Sequence, residues 1–112
     1  MASIDIPSLV KDLQNTASAV IGKDVTALRG FSKDQLQAIA QQSALIAAGI
    51  ADGSISPSLR DYFLDSLEEM VKSFVNTLAG MVVAMIEEVW NAMVGVIWKA
   101  INAATGLSLV VP

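Results

Sequence analysis

The sequence predicts an all-α fold, and three observations carry that expectation. Apolar residues recur every three or four positions through most of the chain, the spacing that gathers them on one face of a helix. Helix-starting residues stand ahead of these runs: Ser32 with Gln35 three residues on, and Ser56 followed by Pro57. Helix-stopping residues stand behind them, at Gly22, Asp52-Gly53 and Thr105-Gly106. Three helices follow, over residues 8–21, 32–51 and 57–104, forming a helical hairpin with a long C-terminal helix in a self-associating helical bundle.

In the first helix Leu9, Val10, Leu13, Ala17, Val20 and Ile21 share one side, while Gln14, Asn15 and Ser18 fill the other. Pro7 suits the first turn, where its missing N–H has no partner to lose. Residues 23–31 read as a loop in which Val25 and Leu28 can form one short helical turn, broken by Gly30. The second helix has the clearest start. Ser32 and Gln35 make a capping box, and Phe31 and Leu36 flank the cap as a hydrophobic staple. Its expected buried face is Leu36, Ile39, Ala40, Ser43, Ile46, Ala47 and Ile50. Ala40, Ala44 and Ala48 form a row of small residues that lets another helix approach closely. The short connection at 52–56 predicts antiparallel neighbours.

From Ser56 to Gly106 there is no turn signal, which makes the third helix the longest. Phe63, Leu67, Met70, Phe74, Leu78, Met81 and Met85 form one apolar stripe along it, beside a second containing Val71, Val82, Val89, Met93 and Ile97. Beyond Ser73 only Glu87, Glu88 and Lys99 are charged. The tail 107–111 is apolar and is expected to tuck against the fold.

Composition sharpens this. The chain has 112 residues, 54% of them hydrophobic, with a mean hydropathy of +0.56. That much apolar surface excludes a disordered chain. Only 16% of residues are charged, against about 25% in an average domain. A domain this small has little interior, so part of the apolar surface is expected to face another chain or a lipid. The net charge of −4 and the scatter of the seven basic residues argue against nucleic acid, whose phosphates require clustered Lys and Arg. With no Cys and no His, thiol chemistry, imidazole ligation and the commonest general base are absent. The N-terminal residues carry neither the basic nor the apolar region of a signal peptide. The expected location is the cytoplasm, with membrane association as the alternative.

An unbroken third helix would be roughly 70 Å long, whereas the second spans roughly 30 Å and the first roughly 20 Å. One chain cannot cover it end to end. Either copies of the chain cover one another, or the C-terminal half enters lipid, or the helix breaks near Gly80 or Gly95. The break is the least expected, because a glycine weakens a helix by about 1 kcal/mol without reversing it. Glu87 and Glu88 fall in the middle of the only window long enough for a membrane span, where each costs about 2.5–3.5 kcal/mol. The domain is therefore expected to comprise an intrachain bundle (1–78) and an apolar association segment (79–112). Met81, Met85, Val89, Trp90, Met93, Ile97 and Trp98 form the candidate association surface, and Glu87 and Glu88 a candidate buried polar pair.

Other chemistry is thin. Glu68-Glu69 and Glu87-Glu88 are paired carboxylates, but di-iron bundles also need His. Ser8 and Lys11 match a Ser-x-x-Lys spacing whose companion motifs are missing. Gly22-Lys23 lacks the glycines of a phosphate loop. The methionines read as core filler, or as the lining of a groove for an apolar ligand. No catalytic residue, cofactor or metal site is expected. The expectation is a non-enzymatic structural or interaction protein that homo-oligomerises. The alternatives are a membrane-active helical protein of the pore-forming or lysis type, or a bundle that binds an apolar ligand or lipid.

Overall fold

The computed structural model describes residues 3–109. Among them it places four α-helices, one 3-10 turn and no strand: α1 (Ile6–Ile21), the turn (Val25–Ala27), α2 (Lys33–Asp52), α3 (Pro57–Thr77) and α4 (Val83–Thr105). The expected helix ends are largely where the sequence put them. Gly22, Gly53 and Gly106 all take positive φ and close their helices through left-handed caps. The Ser32 hydroxyl accepts the Gln35 N–H at 3.2 Å. Of the expected face of α2, all but Ile50 is buried, and Gly49 joins it.

The principal difference lies in the third predicted helix. Residues 57–104 are not one helix but two, separated by an elbow at 78–82. The cause is not a turn sequence but a contact with a distant loop. Asp24 caps the 3-10 turn by accepting the Thr26 N–H at 3.0 Å, and the chain leaving that turn delivers Arg29 and Gly30 to the end of α3. There the Arg29 carbonyl accepts the Ala79 N–H at 2.9 Å, a donor that would otherwise continue the helix. The Thr77 hydroxyl sits 3.1 Å from the Gly30 carbonyl and 2.6 Å from that of Phe74. Phe31 packs edge-on against Phe74, with ring centroids 6.0 Å apart. Gly80, at φ +83°, then reverses the chain.

Bending the helix resolves the length conflict inside one chain. The molecule measures 41 × 24 × 20 Å, and α4, about 35 Å long at the α-helical rise, fits within the longest dimension. It packs on α1, α2 and α3, most extensively on α1. A helix apolar on most sides belongs in the interior of a bundle, and this one buries Val89, Met93, Val94, Ile97, Trp98, Ile101 and Ala104. The expected division into a bundle (1–78) and a separate association segment (79–112) thus gives way to one core, to which all four helices contribute.

The tail is tied back as expected, by a device the sequence did not advertise. Asn102 donates to the Leu109 carbonyl at 3.0 Å and accepts the Leu109 N–H at 2.9 Å. Its amide thereby pairs with a backbone residue as a neighbouring strand would. Leu107 and Leu109 are half-buried, and the expectation for Val110 and Val111 lies outside the described residues.

Candidate functional site

The candidate association surface separates into two groups. Val89, Met93, Ile97 and Trp98 are buried in the chain's own core, so they are not available to a partner while α4 is docked. Met81, Met85 and Trp90 are half-buried and pack against the edge of that core. Trp90 donates its indole N–H to the Glu68 carbonyl at 3.0 Å, bracing α4 on α3. Glu87 and Glu88 are exposed, which corrects the expectation of a buried pair. Once the helix bends, both fall on the outward side of α4 and meet water.

Among the described residues the exposed large apolar side chains are Leu45 on α2, Leu59 and Tyr62 on α3, and Val82 and Val83 at the elbow. Val82 is 68% exposed and Val83 71% exposed, the two adjacent in sequence and flanked by half-buried Met81 and Met85. Sequence reasoning placed Val82 within a helical stripe and gave Val83 no role. The available signal was the pair of β-branched residues, which lower helix propensity. The start of α4 is also poorly finished. Val82 is its N-cap residue and offers no side-chain hydrogen bond, whereas Ser, Thr, Asp or Asn there would hold the free N–H groups of the first turn. The methionines sit as core filler would: Met93 is buried, and Met70, Met81 and Met85 pack against the core.

Two concave features lie on the surface of the bundle. The first is an open groove of about 310 Å³ lined mainly by Ala44, Ala47, Ala48 and Ala51 of α2, with Ile4 and Ala104. It is apolar and carries no convergent polar groups beyond Ser3 and Asp52 at its edge. The second is a depression of about 280 Å³ beside the elbow, bounded by Lys72, Ile86, Glu87, Trp90 and Asn91. Among the described residues no group of three or more acidic side chains gathers as a metal site would require, and no helix is long and apolar enough to cross a membrane.

Carboxylates elsewhere respond to their surroundings in opposite senses. Burial, followed by the charges of Asp65 and Glu69, raises the Glu68 carboxyl above its ordinary range. Hydrogen bonds from Thr26 and Ser54 lower Asp24 and Asp52. The signs follow from linkage. Folding disfavours ionised Glu68, so its penalty is present at neutral pH and fades as pH falls through the raised value. Asp24 and Asp52 instead support the fold above the ordinary carboxylate range and lose that support on acidification. Glu68→Gln is therefore expected to raise Tm at pH 7. Its advantage over wild type should shrink towards pH ~3, below the ordinary glutamate value of about 4.3, where Glu68 is protonated in both folded and unfolded chains. Thermal melts at the two pH values check this, and an advantage that is unchanged or larger at low pH would contradict it.

Comparison of the chain with protein-family models, with curated proteins and with solved structures finds no match.

Proposed function

We propose that this protein is a non-enzymatic helical interaction protein whose partner is a second copy of itself, engaged through the α3–α4 elbow. The observation that carries this is the exposed pair Val82 and Val83 at a poorly capped helix start. Adjacent exposed apolar residues of this kind mark association surfaces more often than isolated ones do. Charge disfavours the lipid alternative. Glu87 and Glu88 stand exposed one turn beyond the elbow, and the chain carries a net charge of −4, which repels an anionic lipid surface. The proposal moves the association surface from the body of the C-terminal helix to its first turn, and a cytoplasmic location belongs to the same reading.

Size exclusion with light scattering across a range of concentrations tests the proposal. A mass that rises from one chain to two is the expected result. A single-chain mass up to the solubility limit overturns it. Flotation with neutral and anionic vesicles addresses the membrane alternative, which predicts that Val82→Lys abolishes vesicle binding. The self-association reading predicts no binding of vesicles by the wild-type chain.

A further inference from the structure

Rigid docking at the elbow leaves a difficulty of size. A stable protein–protein interface buries about 1,600 Å² in total, and two valines with their half-buried neighbours fall well short of that. A second observation removes the difficulty. The buried stripe of α3 continues across the break without a change of register: Val71, Phe74 and Leu78 are followed by Val82, Met85 and Val89 at spacings of three or four. A turn between two independent helices has no need to preserve that phase. Gly80, at φ +83°, is the one local turn device of the elbow. The elbow contains no proline, α3 ends on Leu78 in an extended conformation rather than on a left-handed residue, and Val82 caps nothing.

We infer that the elbow at 78–82 is a hinge about which α4 exchanges between two copies of the chain, with residues 57–105 running as one helix and each α4 docking on the partner's α1 and α2. The inference rests on the self-association proposed above. Straightened, the helix would be roughly 70 Å long, well beyond the 41 Å of the closed molecule. An opened α4 therefore cannot return to its own bundle and must find another. Exchange reproduces the core contacts of α4 in the second copy, so the two states differ mainly at the hinge. Closing holds the Ala79 N–H on Arg29 and Thr77 on Gly30. Opening gives the free N–H groups at the start of α4 helical carbonyl partners and carries Val82 onto the continued apolar stripe.

Two substitutions push the hinge in opposite directions. A side chain at Gly80 would meet no atom within 4 Å, so Gly80→Ala does not clash. It acts only on the backbone, against the +83° φ of the elbow and in favour of the helix. Val83 is the first residue of α4 and follows Val82 at φ −85° and ψ 163°, the geometry a residue before proline adopts. Val83→Pro thus suits the closed chain and breaks the straight helix. The Gly80→Ala dimer is expected to form at concentrations at least about tenfold lower than wild type, and to dissociate on dilution no faster than the protein unfolds. Val83→Pro is expected to remain a folded monomer by circular dichroism and light scattering. A dimer that persists in Val83→Pro, or that falls apart faster than unfolding, overturns exchange and leaves self-association by docking. If wild type and Gly80→Ala both stay monomeric at every concentration, the exchange and the self-association reading fail together.

Discussion

Gly30→Ala is expected to destabilise the protein by about 3 kcal/mol, lowering Tm by roughly 10–20 °C for a domain of this size. An alanine Cβ at this position would lie 1.8 Å from the Thr77 carbonyl oxygen, a backbone atom that cannot rotate away. The loop and the end of α3 must separate. That movement gives up the hydrogen bonds from Ala79 to Arg29 and from Thr77 to Gly30, each worth about 1 kcal/mol. The left-handed φ of +87° adds about another 1 kcal/mol for a residue with a side chain. Gly22→Ala is the matched control, because φ is +85° there but no atom lies within 4 Å. It should lose only the backbone component. Chemical denaturation of both variants separates clash from conformation, and equal losses would show that the close approach of Gly30 to Thr77 contributes nothing. Since the Gly30 loop is what holds the elbow shut, Gly30→Ala should also populate the exchanged dimer more than Gly22→Ala does.

The same residues show why the elbow was not legible in the sequence while the other helix ends were. Ser32, Gly22, Gly53 and Gly106 act locally: a hydroxyl three residues from its N–H, or a glycine whose own φ closes the helix. Their effect is written within a few positions. The break after Thr77 is enforced by residues 29 and 30, and Thr77 and Gly30 stand 47 positions apart. Between Leu78 and Val82 only Gly80 hints at it, because leucine, alanine and methionine are all good helix formers. Gly80 was recognisable as a weak point but not as a reversal. The length mismatch between a roughly 70 Å helix and its shorter partners was real. Three ways of relieving it were open from sequence, and the chain adopts the intramolecular one.

That outcome also redistributes the apolar excess. A mostly apolar helix looked uncovered only while it projected beyond α2. Folded back, it becomes the element that the other three helices surround, and the residues expected to hold a partner hold the chain's own fold instead. Glu87 and Glu88, which argued against a plain membrane span, need no buried partner, because the bend leaves them exposed. The site at the elbow is a by-product of the same event. Once the chain is turned there by contacts from outside, Val82 and Val83 lose the helical neighbours that their spacing provides for.

Ile97→Ala is accordingly expected to act on folding and not on association of the closed chain. Ile97 is fully buried on the helix that packs against all the others, and removing the side chain leaves a cavity that helices on several sides must collapse to fill. Such truncations cost about 2–5 kcal/mol, and a centrally placed site that cannot relax towards solvent belongs in the upper part of that range. Lys99→Ala, two residues on at an exposed position, should stay within about 0.5 kcal/mol of wild type. Urea titration of the two variants, with the molecular mass followed alongside, distinguishes the roles. If Ile97 were an association residue, the truncation would lower mass while leaving the denaturation midpoint of the dilute monomer near that of wild type. If it belongs to the core, the midpoint falls at every concentration and the closed monomer keeps its mass. The exchanged dimer would be weakened too, because the same side chain must fit the same cavity whichever copy supplies α1 and α2.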